Sequence, residues 1–326
     1  MTLLGMSSTG SAIRLLDASF PLPLDRPFTT AMGRAEGITT EQLRVLTGRG
    51  YLRRIIKGVY IANQVPDSTA LRCLALALIV PQDCVVVDRH AGWLLGAEMV
   101  LGPNEHIDPL PISVFRPSGM GRLRNDLTDS GERNLGENDV LEFNGVRVTT
   151  PLRTACDLGR SRSTDRAIAS LDALLRLGDF THDELVYEVE RFRRMRWVTT
   201  LRAIAPLADG RAQSPGESVL RLRWIEARLP TPEPQYEVWG GGRLLAILDI
   251  ATGETRYAAE YDGVEWHTSE LQQLHDRGRR AALCDEGWVI DVFVRDDLFH
   301  PQARPDFRLR SGAHEAARRS RRPLTG

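Results

Sequence analysis

The stretch that decides the fold of the C-terminal part of the chain is residues 243–263, RLLAILDIATGETRYAAEYDG. Its first half is an apolar run that ends near Asp249, and its second half is a β-prone run that carries Glu260 and Asp262. Thr252-Gly253-Glu254 between the two halves is a turn signal. The pattern predicts two strands joined as a hairpin, with acidic side chains inside the strands as well as in the turn.

The spacing of these acids decides whether they can act together. Glu260 and Asp262 are two positions apart and therefore point to the same face of their strand. If the hairpin loop has an even number of residues, Asp249 and Glu260 lie opposite each other directly or one pair removed, again on one face. Three carboxylates at close range repel one another, and a hard divalent cation such as Mg²⁺ relieves that repulsion. The alternative is turn chemistry, since Asp262-Gly263 is a common turn pair.

Two further residues are candidates for chemistry, each with a structural alternative. Glu217 lies in Ser214-Pro215-Gly216-Glu217 at the start of an amphipathic helix, and this S-x-x-E pattern is also a capping box for the Ser214 amide. His267 follows Trp266, and its reference pKa near neutrality suits a group that activates a water or protonates a leaving oxygen. A structural histidine at a strand-to-helix corner is the alternative for His267.

The N-terminal segment 28–63 has the outline of a winged helix. Thr39 and Thr40 precede an amphipathic helix, and residues 51–61 predict a β-hairpin with its turn near Lys57-Gly58. Between residues 34 and 57 the chain carries six basic and two acidic residues, a local charge of +4. A basic winged helix places one helix in the DNA major groove while its wing meets phosphates. The candidate DNA contacts are Arg44, Arg49, Arg53, Arg54 and Lys57. Arginines that are merely solvated, or a protein interface, are the alternatives.

Short motifs in this region resemble a known family. Residues 37–43, GITTEQL, followed by Leu52-Arg53-Arg54 and Gly58-Val59-Tyr60, resemble the winged-helix domain of abortive-infection AbiEi-type antitoxins and related regulators. Residues 145–158, GVRVTTPLRTACDL, resemble the second domain of AbiEi-like proteins, where a strand ends in Thr-Thr-Pro and a helix begins. Pro151 suits the first helical turn, with Thr150 as its cap. The resemblance implies DNA contact and a toxin partner protein.

Residues 214–300 resemble a second family. The positions that carry the resemblance are Glu217, Leu248-Asp249, residues 259–263, His267, Asp276, Arg279 or Arg280, and residues 286–292. Their order is similar to that of the DUF559 family of the PD-(D/E)XK restriction-endonuclease-like superfamily, which is related to very-short-patch-repair mismatch endonucleases. The resemblance implies that Asp249 and Glu260 are ligands of Mg²⁺ (or Mn²⁺), and that Asp262 and His267 are acid/base or supporting groups. The resemblance also implies that Glu217 is the acidic residue of the first helix and that Arg279 or Arg280 faces the phosphate.

One departure from the superfamily pattern matters for the chemistry. The superfamily has a lysine two residues after its second acid, and here that position is Asp262. The lysine helps to orient water and to stabilise developing phosphate charge. Its absence leaves a variant that uses histidine and a metal-bound water, or an inactive fold kept for binding.

Composition limits the function classes. Of the 42 basic residues only Lys57 is a lysine, so enzymes that need a Schiff-base or phosphate-binding lysine are disfavoured. The four cysteines are scattered, which predicts neither a zinc ribbon nor a disulfide framework and fits a reduced, cytoplasmic compartment. The longest apolar run, residues 74–80, is too short for a transmembrane helix. The formal net charge is -1, although the N-terminal winged-helix segment and the C-terminal tail are both basic. The chain between these two segments is therefore expected to be acidic.

The length of 326 residues predicts several domains in a multidomain α/β protein. We expect a flexible arm at 1–27, the winged helix at 28–63, an AbiEi-like α+β domain at 64–160 and a helical connector at 161–212. A restriction-endonuclease-like mixed sheet flanked by helices follows at 213–300. The tail at 301–326 carries seven arginines against two acids, which predicts a disordered segment with nonspecific phosphate attraction.

A second basic run lies in the connector. Arg191, Arg193, Arg194 and Arg196 precede Trp197. A solvated helix face is the default interpretation of such a run, and contact with a phosphate backbone is the alternative.

The patterns leave two main hypotheses. The first is a metal-dependent DNA endonuclease or nickase in which the winged helix contacts DNA and the C-terminal carboxylates cut a phosphodiester. The second is a non-enzymatic, antitoxin-type DNA-binding transcriptional regulator whose nuclease fold is inactive. Similar arrangements are expected among uncharacterised actinobacterial and phage proteins. A protein-interaction adaptor is a weaker third hypothesis.

Overall fold

A computed structural model describes residues 14–100, 110–263 and 279–321. The chain divides into two compact units, Met1–Thr154 and Ala155–Gly326. The described residues contain three separate β-sheets and twelve α-helical segments, so the predicted multidomain α/β organisation is confirmed at this level.

The first unit begins with a small sheet and two helices. Its elements are β1 (Phe28–Thr29), α1 (Thr30–Ala35), α2 (Thr40–Gly48), β2 (Leu52–Ile56) and β3 (Val59–Ala62). The strands are antiparallel in the order β1-β3-β2. Thr39 caps α2 as predicted, because its side chain accepts the amide of Gln42 while the Gln42 side chain accepts the amide of Thr39. The predicted hairpin turn is also confirmed, with Gly58 at φ +79°.

The described part of the predicted flexible arm is packed. Residues 14–27 form no helix or strand, but Leu22 is buried, and Leu16 and Phe20 pack against the cluster that includes Phe28 and Tyr60. The prediction of a flexible arm is therefore wrong for this stretch. The prediction gave too much weight to the polar residues that precede this stretch, and three apolar side chains in the stretch cover the α1–α2 core.

The remainder of the first unit is a five-stranded mixed sheet with helices. Its elements are α3 (Thr69–Ala77), β4 (Val85–Val86), α4 (Asp88–Leu94), β5 (Ile112–Pro117), β6 (Thr128–Arg133), β7 (Val140–Phe143) and β8 (Val146–Thr149). The strand order is β6-β5-β4-β8-β7. The hairpin β2–β3 contributes Ile56, Val59 and Ile61 to the core of this sheet. It also contributes Leu52 and Tyr60 to the core beneath α1 and α2, so one hairpin joins both parts of the unit.

A buried histidine gives the first unit a pH-dependent stability. His90 is 5% exposed, and its Nδ1 accepts the Ser113 amide at 3.0 Å, so that nitrogen carries no proton. Burial, together with the charge of Arg89, lowers the pKa of His90 to about 3. The unfolded chain therefore binds more protons than the native state between pH 3 and 6.5, and stability is lost as the pH falls through this window.

We expect the free energy of unfolding of the first unit to fall by about 2 kcal/mol between pH 8 and pH 5 because of His90. His90→Asn keeps an acceptor for the Ser113 amide and removes the titrating group. Urea unfolding of both proteins at the two pH values measures the difference. Equal pH slopes for the wild type and the variant would contradict this role of His90.

The second unit opens with a helical layer. A helix that begins at the end of the first unit, α5 (Pro151–Gly159), is capped by Thr150, whose hydroxyl accepts the Arg153 amide at 3.3 Å. The layer continues with α6 (Thr164–Leu175), α7 (His182–Glu188) and α8 (Val198–Ile204). These helices confirm the predicted helical character of the connector.

A four-stranded sheet follows the helical layer. Its elements are α9 (Pro215–Glu226), β9 (Glu233–Gly240), β10 (Arg243–Thr252), β11 (Tyr257–Asp262), α10 (described over 279–285), β12 (Val289–Val294), α11 (Arg295–Phe299) and α12 (Pro305–Ser320). The order is β12-β11-β10-β9, with β9, β10 and β11 antiparallel and β12 parallel to β11. The predicted hairpin of residues 243–263 therefore forms the middle of the sheet.

The basic tail is a packed helix, so the prediction of disorder is wrong for residues 305–320. α12 packs against α9, β11 and β12. Leu309 and Ala316 are buried, and with Gly312 between them they form an apolar stripe at helical spacing. A Cβ at Gly312 would lie 2.5 Å from the Tyr257 ring, so this glycine permits the close approach of the helix to the sheet. Two of its arginines also contact these elements, since Arg308 donates to the Val292 carbonyl at 2.7 Å and Arg310 donates to the Ala227 carbonyl at 3.3 Å.

Candidate functional site

The hairpin of the C-terminal sheet places two acids side by side. In the β10–β11 ladder Ile250 pairs with Ala259, Ala251 with Ala258 and Thr252 with Tyr257, so Asp249 and Glu260 directly follow the last pair on their two strands. The turn between Thr252 and Tyr257 has four residues, so the even loop that this pairing requires is present. Asp249 Oδ2 accepts the Tyr261 amide at 2.7 Å, which holds the carboxylate against β11.

Glu217 reaches the same region from the first turn of α9. Ser214 caps the helix, because its hydroxyl accepts the Glu217 amide at 3.1 Å. The Glu217 carboxylate does not close the predicted capping box with the Ser214 amide; Oε2 instead accepts the Gln213 amide at 2.8 Å and the Gln235 side chain at 3.1 Å. Gly216 permits this placement, since a Cβ there would lie 2.0 Å from the Tyr261 ring.

The surroundings of Asp249 favour its protonated form. The pKa of Asp249 is raised to about 7; burial is the largest cause, the Tyr261 amide opposes it, the negative charges of Glu217 and Glu260 add to it, and Arg279 lowers it. Near neutral pH the Asp249 carboxyl can therefore both release and accept a proton. A carboxyl with these properties among other acids is typical of a functional site.

Arg279 is paired with Glu260. Its Nη2 lies 3.0 Å from both oxygens of Glu260, which is 8% exposed. Carboxylate oxygens are the donors that Mg²⁺ prefers. Yet within the parts of the chain that the structure describes, no three His, Cys, Asp or Glu side chains are grouped so as to hold a metal ion. The guanidinium of Arg279 is the cation next to Glu260, so a metal at Asp249 and Glu260 requires Arg279 to move.

The other candidates of the C-terminal sheet are less closely placed. Asp262 is exposed at the end of β11, and Arg280 is exposed on α10. His267 and Asp276 lie outside the described residues. The structure thus brings together Glu217, Asp249, Glu260 and Arg279 of the predicted set.

The N-terminal candidates differ in their freedom to meet DNA. Arg44 is exposed on α2 and pairs with Glu41 at 2.6 Å, and Arg49 is exposed at the C-cap of that helix. Arg34 on α1 is also exposed and donates to Thr40 at 3.0 Å. We call Arg34, Arg44 and Arg49 the α2 arginine surface. The sequence motifs did not single out Arg34, although it belongs to the same basic stretch.

The hairpin candidates are more enclosed. Arg53 donates to the carbonyl oxygen of Val65 at 3.0 Å and is only 27% exposed. Arg54 lies 5.9 Å from the Tyr60 ring, and Lys57 is partly buried in the turn. A Cβ at the neighbouring Gly58 would lie 2.7 Å from Leu127, so the turn packs against the loop before β6. The tip is thus covered on one side.

The sequence motifs also missed a buried ion pair that supports the C-terminal site. Asp172 of α6 is fully buried and accepts Arg221 Nη2 of α9 at 2.9 and 2.7 Å. This pair fixes α9, whose first turn carries Glu217. The signal was an aspartate inside the apolar run of α6, because a buried charge needs a partner.

Comparison with known proteins identifies one domain of this chain. Residues 86–207 match the family model of the AbiEi antitoxin C-terminal domain. The predicted AbiEi resemblance is therefore confirmed for this domain, which covers most of the five-stranded sheet and the helical layer. The match does not extend to the sheet that holds Asp249 and Glu260.

Two uncharacterized proteins of Mycobacterium tuberculosis, MT2308 and Rv2248, are each 33% identical to this chain over 261 residues. The alignments cover 80% of this chain and 92% of each relative. The chain belongs to the same family as these proteins.

Among solved structures, the RV2827C protein from Mycobacterium tuberculosis aligns over 67% of this chain and 84% of its own, at 14% identity and a TM-score of 0.30. A likeness at this level does not establish a common fold. In the described ranges, every helix is too short or too polar to cross a bilayer.

Proposed function

We propose that this chain is a DNA-binding protein of the antitoxin type that acts as a transcriptional regulator. The match of residues 86–207 to the AbiEi antitoxin C-terminal domain carries the proposal. An antitoxin implies a toxin partner protein. Two results would support such a partner: the chain co-purifies with a toxin, and its expression relieves the growth arrest that the toxin causes. We propose that the basic N-terminal segment contacts DNA in the way that a winged helix does.

The α2 arginine surface is the best-placed DNA contact in the first unit. Its three side chains are exposed. The pair between Arg44 and Glu41 is exposed at 74% and 65%, so exchanging the carboxylate for a phosphate costs little. The tip of the hairpin packs against Leu127, which favours α2 over the wing as the main contact.

Binding of the full chain to duplex DNA that includes its own promoter tests this function. We expect binding that weakens with added salt in proportion to the phosphates contacted. Binding to the promoter should exceed binding to an unrelated duplex of equal length. An affinity that is low and independent of salt would contradict the proposal.

A metal-dependent DNA endonuclease is the second candidate, and the raised pKa of Asp249 beside Glu217 and Glu260 favours it. Asp249 and Glu260 would hold Mg²⁺ or Mn²⁺ once Arg279 leaves Glu260. A cation held there would supply an activated water and would stabilise charge on the phosphate. Arg279, when released, is a cation close enough to attract a phosphate. Glu217 keeps the local field negative.

Incubation with supercoiled plasmid and Mg²⁺ tests this second candidate. We expect nicking that EDTA abolishes and that Asp249→Ala and Glu260→Ala each reduce at least 100-fold, as loss of a metal ligand does. Glu254→Ala removes an exposed acid of the turn and is the matched control. Equal nicking by all the variants would indicate a contaminating nuclease. The absence of nicking would contradict the endonuclease candidate and would leave DNA binding as the one remaining proposal.

A further inference from the structure

The segment between α7 and α8 exposes three arginines whose charge is not neutralised. Arg193, Arg194 and Arg196 are exposed, and none of them has an acidic partner within residues 14–100, 110–263 and 279–321. The nearby acids are already engaged: Glu188 pairs with Arg191 at 2.6 Å, and Glu190 pairs with Arg202 at 3.4 Å. We call residues 193–197 the arginine loop.

The arginine loop is anchored at both ends. Phe192 before it is 2% exposed, and Val198 after it is 8% exposed. Within it, the Met195 amide donates to the Phe192 carbonyl at 3.0 Å, and the Val198 amide donates to the Met195 carbonyl at 3.2 Å. From outside, Arg160 donates to the Arg196 carbonyl at 3.4 Å. The loop therefore presents its side chains from a fixed backbone.

Two residues of the loop adopt the left-handed conformation that favours glycine. Arg194 has φ 67° and Trp197 has φ 62°. Each such residue costs roughly 1 kcal/mol or more, and such strain concentrates at functional sites. Because the loop is already ordered, a ligand would not have to supply the free energy of ordering it.

Trp197 adds an aromatic surface next to the charges. Its side chain is 38% exposed, and the guanidinium of Arg196 lies 5.2 Å from the ring centroid. Arginines that meet phosphates, beside an aromatic ring on which a base can stack, are typical of surfaces that bind single-stranded nucleic acid. An acidic protein segment would use the charges but would have no need of an exposed ring. The combination favours a nucleic acid with unpaired bases.

We infer that the arginine loop binds single-stranded nucleic acid, with Arg193, Arg194 and Arg196 on the phosphates and Trp197 stacked on a base. This site lies in the second unit and is separate from the duplex contact proposed for the α2 arginine surface. Its ligand is single-stranded, whereas that of the α2 arginine surface is duplex DNA. The two proposals can therefore be tested, and contradicted, independently.

Anisotropy of a labelled twelve-nucleotide oligo-dT with the full chain tests the inference. Arg193→Ala/Arg194→Gly/Arg196→Ala is the main variant, and glycine at position 194 suits the left-handed backbone there. We expect it to weaken binding at least tenfold and to reduce the slope of log affinity against log salt by about 2. Arg162→Ala/Arg166→Ala/Arg243→Ala removes three other exposed arginines of the same unit, and it should change the affinity less than threefold.

Stacking is tested separately, because charge alone would not require it. Trp197→Ala should weaken oligo-dT binding at least fivefold, and Trp197→Phe should restore most of it. Oligo-rU of the same length should bind within about threefold of oligo-dT, since neither phosphate contact nor stacking reads the sugar. A main variant no weaker than the control triple would overturn the inference. So would full affinity in Trp197→Ala, or an acidic peptide such as oligo-glutamate that binds as tightly as oligo-dT.

Discussion

Replacement of Asp172 by alanine is expected to destabilise the second unit by about 3–5 kcal/mol. The change leaves the guanidinium of Arg221, which is 4% exposed, without its carboxylate partner. It also removes the acceptor of the Asp209 amide, which donates to Asp172 at 2.7 Å. Both losses fall where α6 packs against α9. Urea unfolding followed by tryptophan fluorescence measures the effect, because five of the six tryptophans lie in this unit.

The same two helices offer a matched control. Arg223 of α9 binds both oxygens of Asp165 of α6 at 2.6 and 2.7 Å, in the same bidentate geometry, but this pair is partly exposed. Asp165→Ala should therefore cost about 1 kcal/mol or less. Apolar residues at both buried positions, Asp172→Leu with Arg221→Met, should recover much of the stability that Asp172→Ala loses. Equal costs for Asp172→Ala and Asp165→Ala would show that burial does not set the strength of these pairs.

Alanine at all three positions of the α2 arginine surface is expected to weaken duplex DNA binding about 100-fold at low salt. Arg34, Arg44 and Arg49 make only exposed contacts in the free protein, so the fold should tolerate the change. Competition binding with a promoter duplex measures the affinity, and thermal unfolding verifies that the variant remains folded.

The control for this variant is Arg162→Ala/Arg166→Ala/Arg243→Ala, which removes the same charge from exposed positions of the second unit. It should bind the promoter duplex within about threefold of the wild type, because none of these three arginines belongs to the α2 arginine surface. A loss in the control as large as that in the α2 variant would mean that net charge, and not this surface, sets the affinity.

The local features of the C-terminal sheet could be predicted from the sequence. A turn of four residues between two β-prone runs sets the register that pairs Ile250 with Ala259, and Asp249 and Glu260 directly follow this pair on their strands. The cap of α2 by Thr39 was similarly predictable, since it depends on residues three apart. Such features are decided by short-range spacing, which the sequence displays directly.

Features that depend on distant side chains were not predictable in the same way. Arg279 was expected to face a phosphate, but its guanidinium lies against Glu260, 19 residues earlier in the chain. The carboxylate of Glu217 accepts from the Gln213 amide and from the side chain of Gln235, 18 residues later in the chain, and not from the Ser214 amide. In both cases a long-range partner overrides the local pattern.

The ends of the chain show how charge and polarity can conceal packing. The arginines of α12 suggested disorder, although Leu309 and Ala316 lie on one helical face and are buried. The polar start of the chain concealed Leu22, which is buried against the α1–α2 core. In each case a few apolar side chains at the right spacing outweigh a polar average.

The most direct test of DNA binding through the α2 arginine surface is the salt dependence of binding to promoter duplex, measured side by side for three proteins. The proteins are the wild type, Arg34→Ala/Arg44→Ala/Arg49→Ala and Asp249→Ala/Glu260→Ala. If the chain is a DNA-binding protein that uses its α2 arginine surface, the slope of log affinity against log salt should fall by about 3 in the arginine variant. It should be unchanged in the carboxylate variant. An arginine variant that keeps the wild-type slope and affinity would contradict the claim.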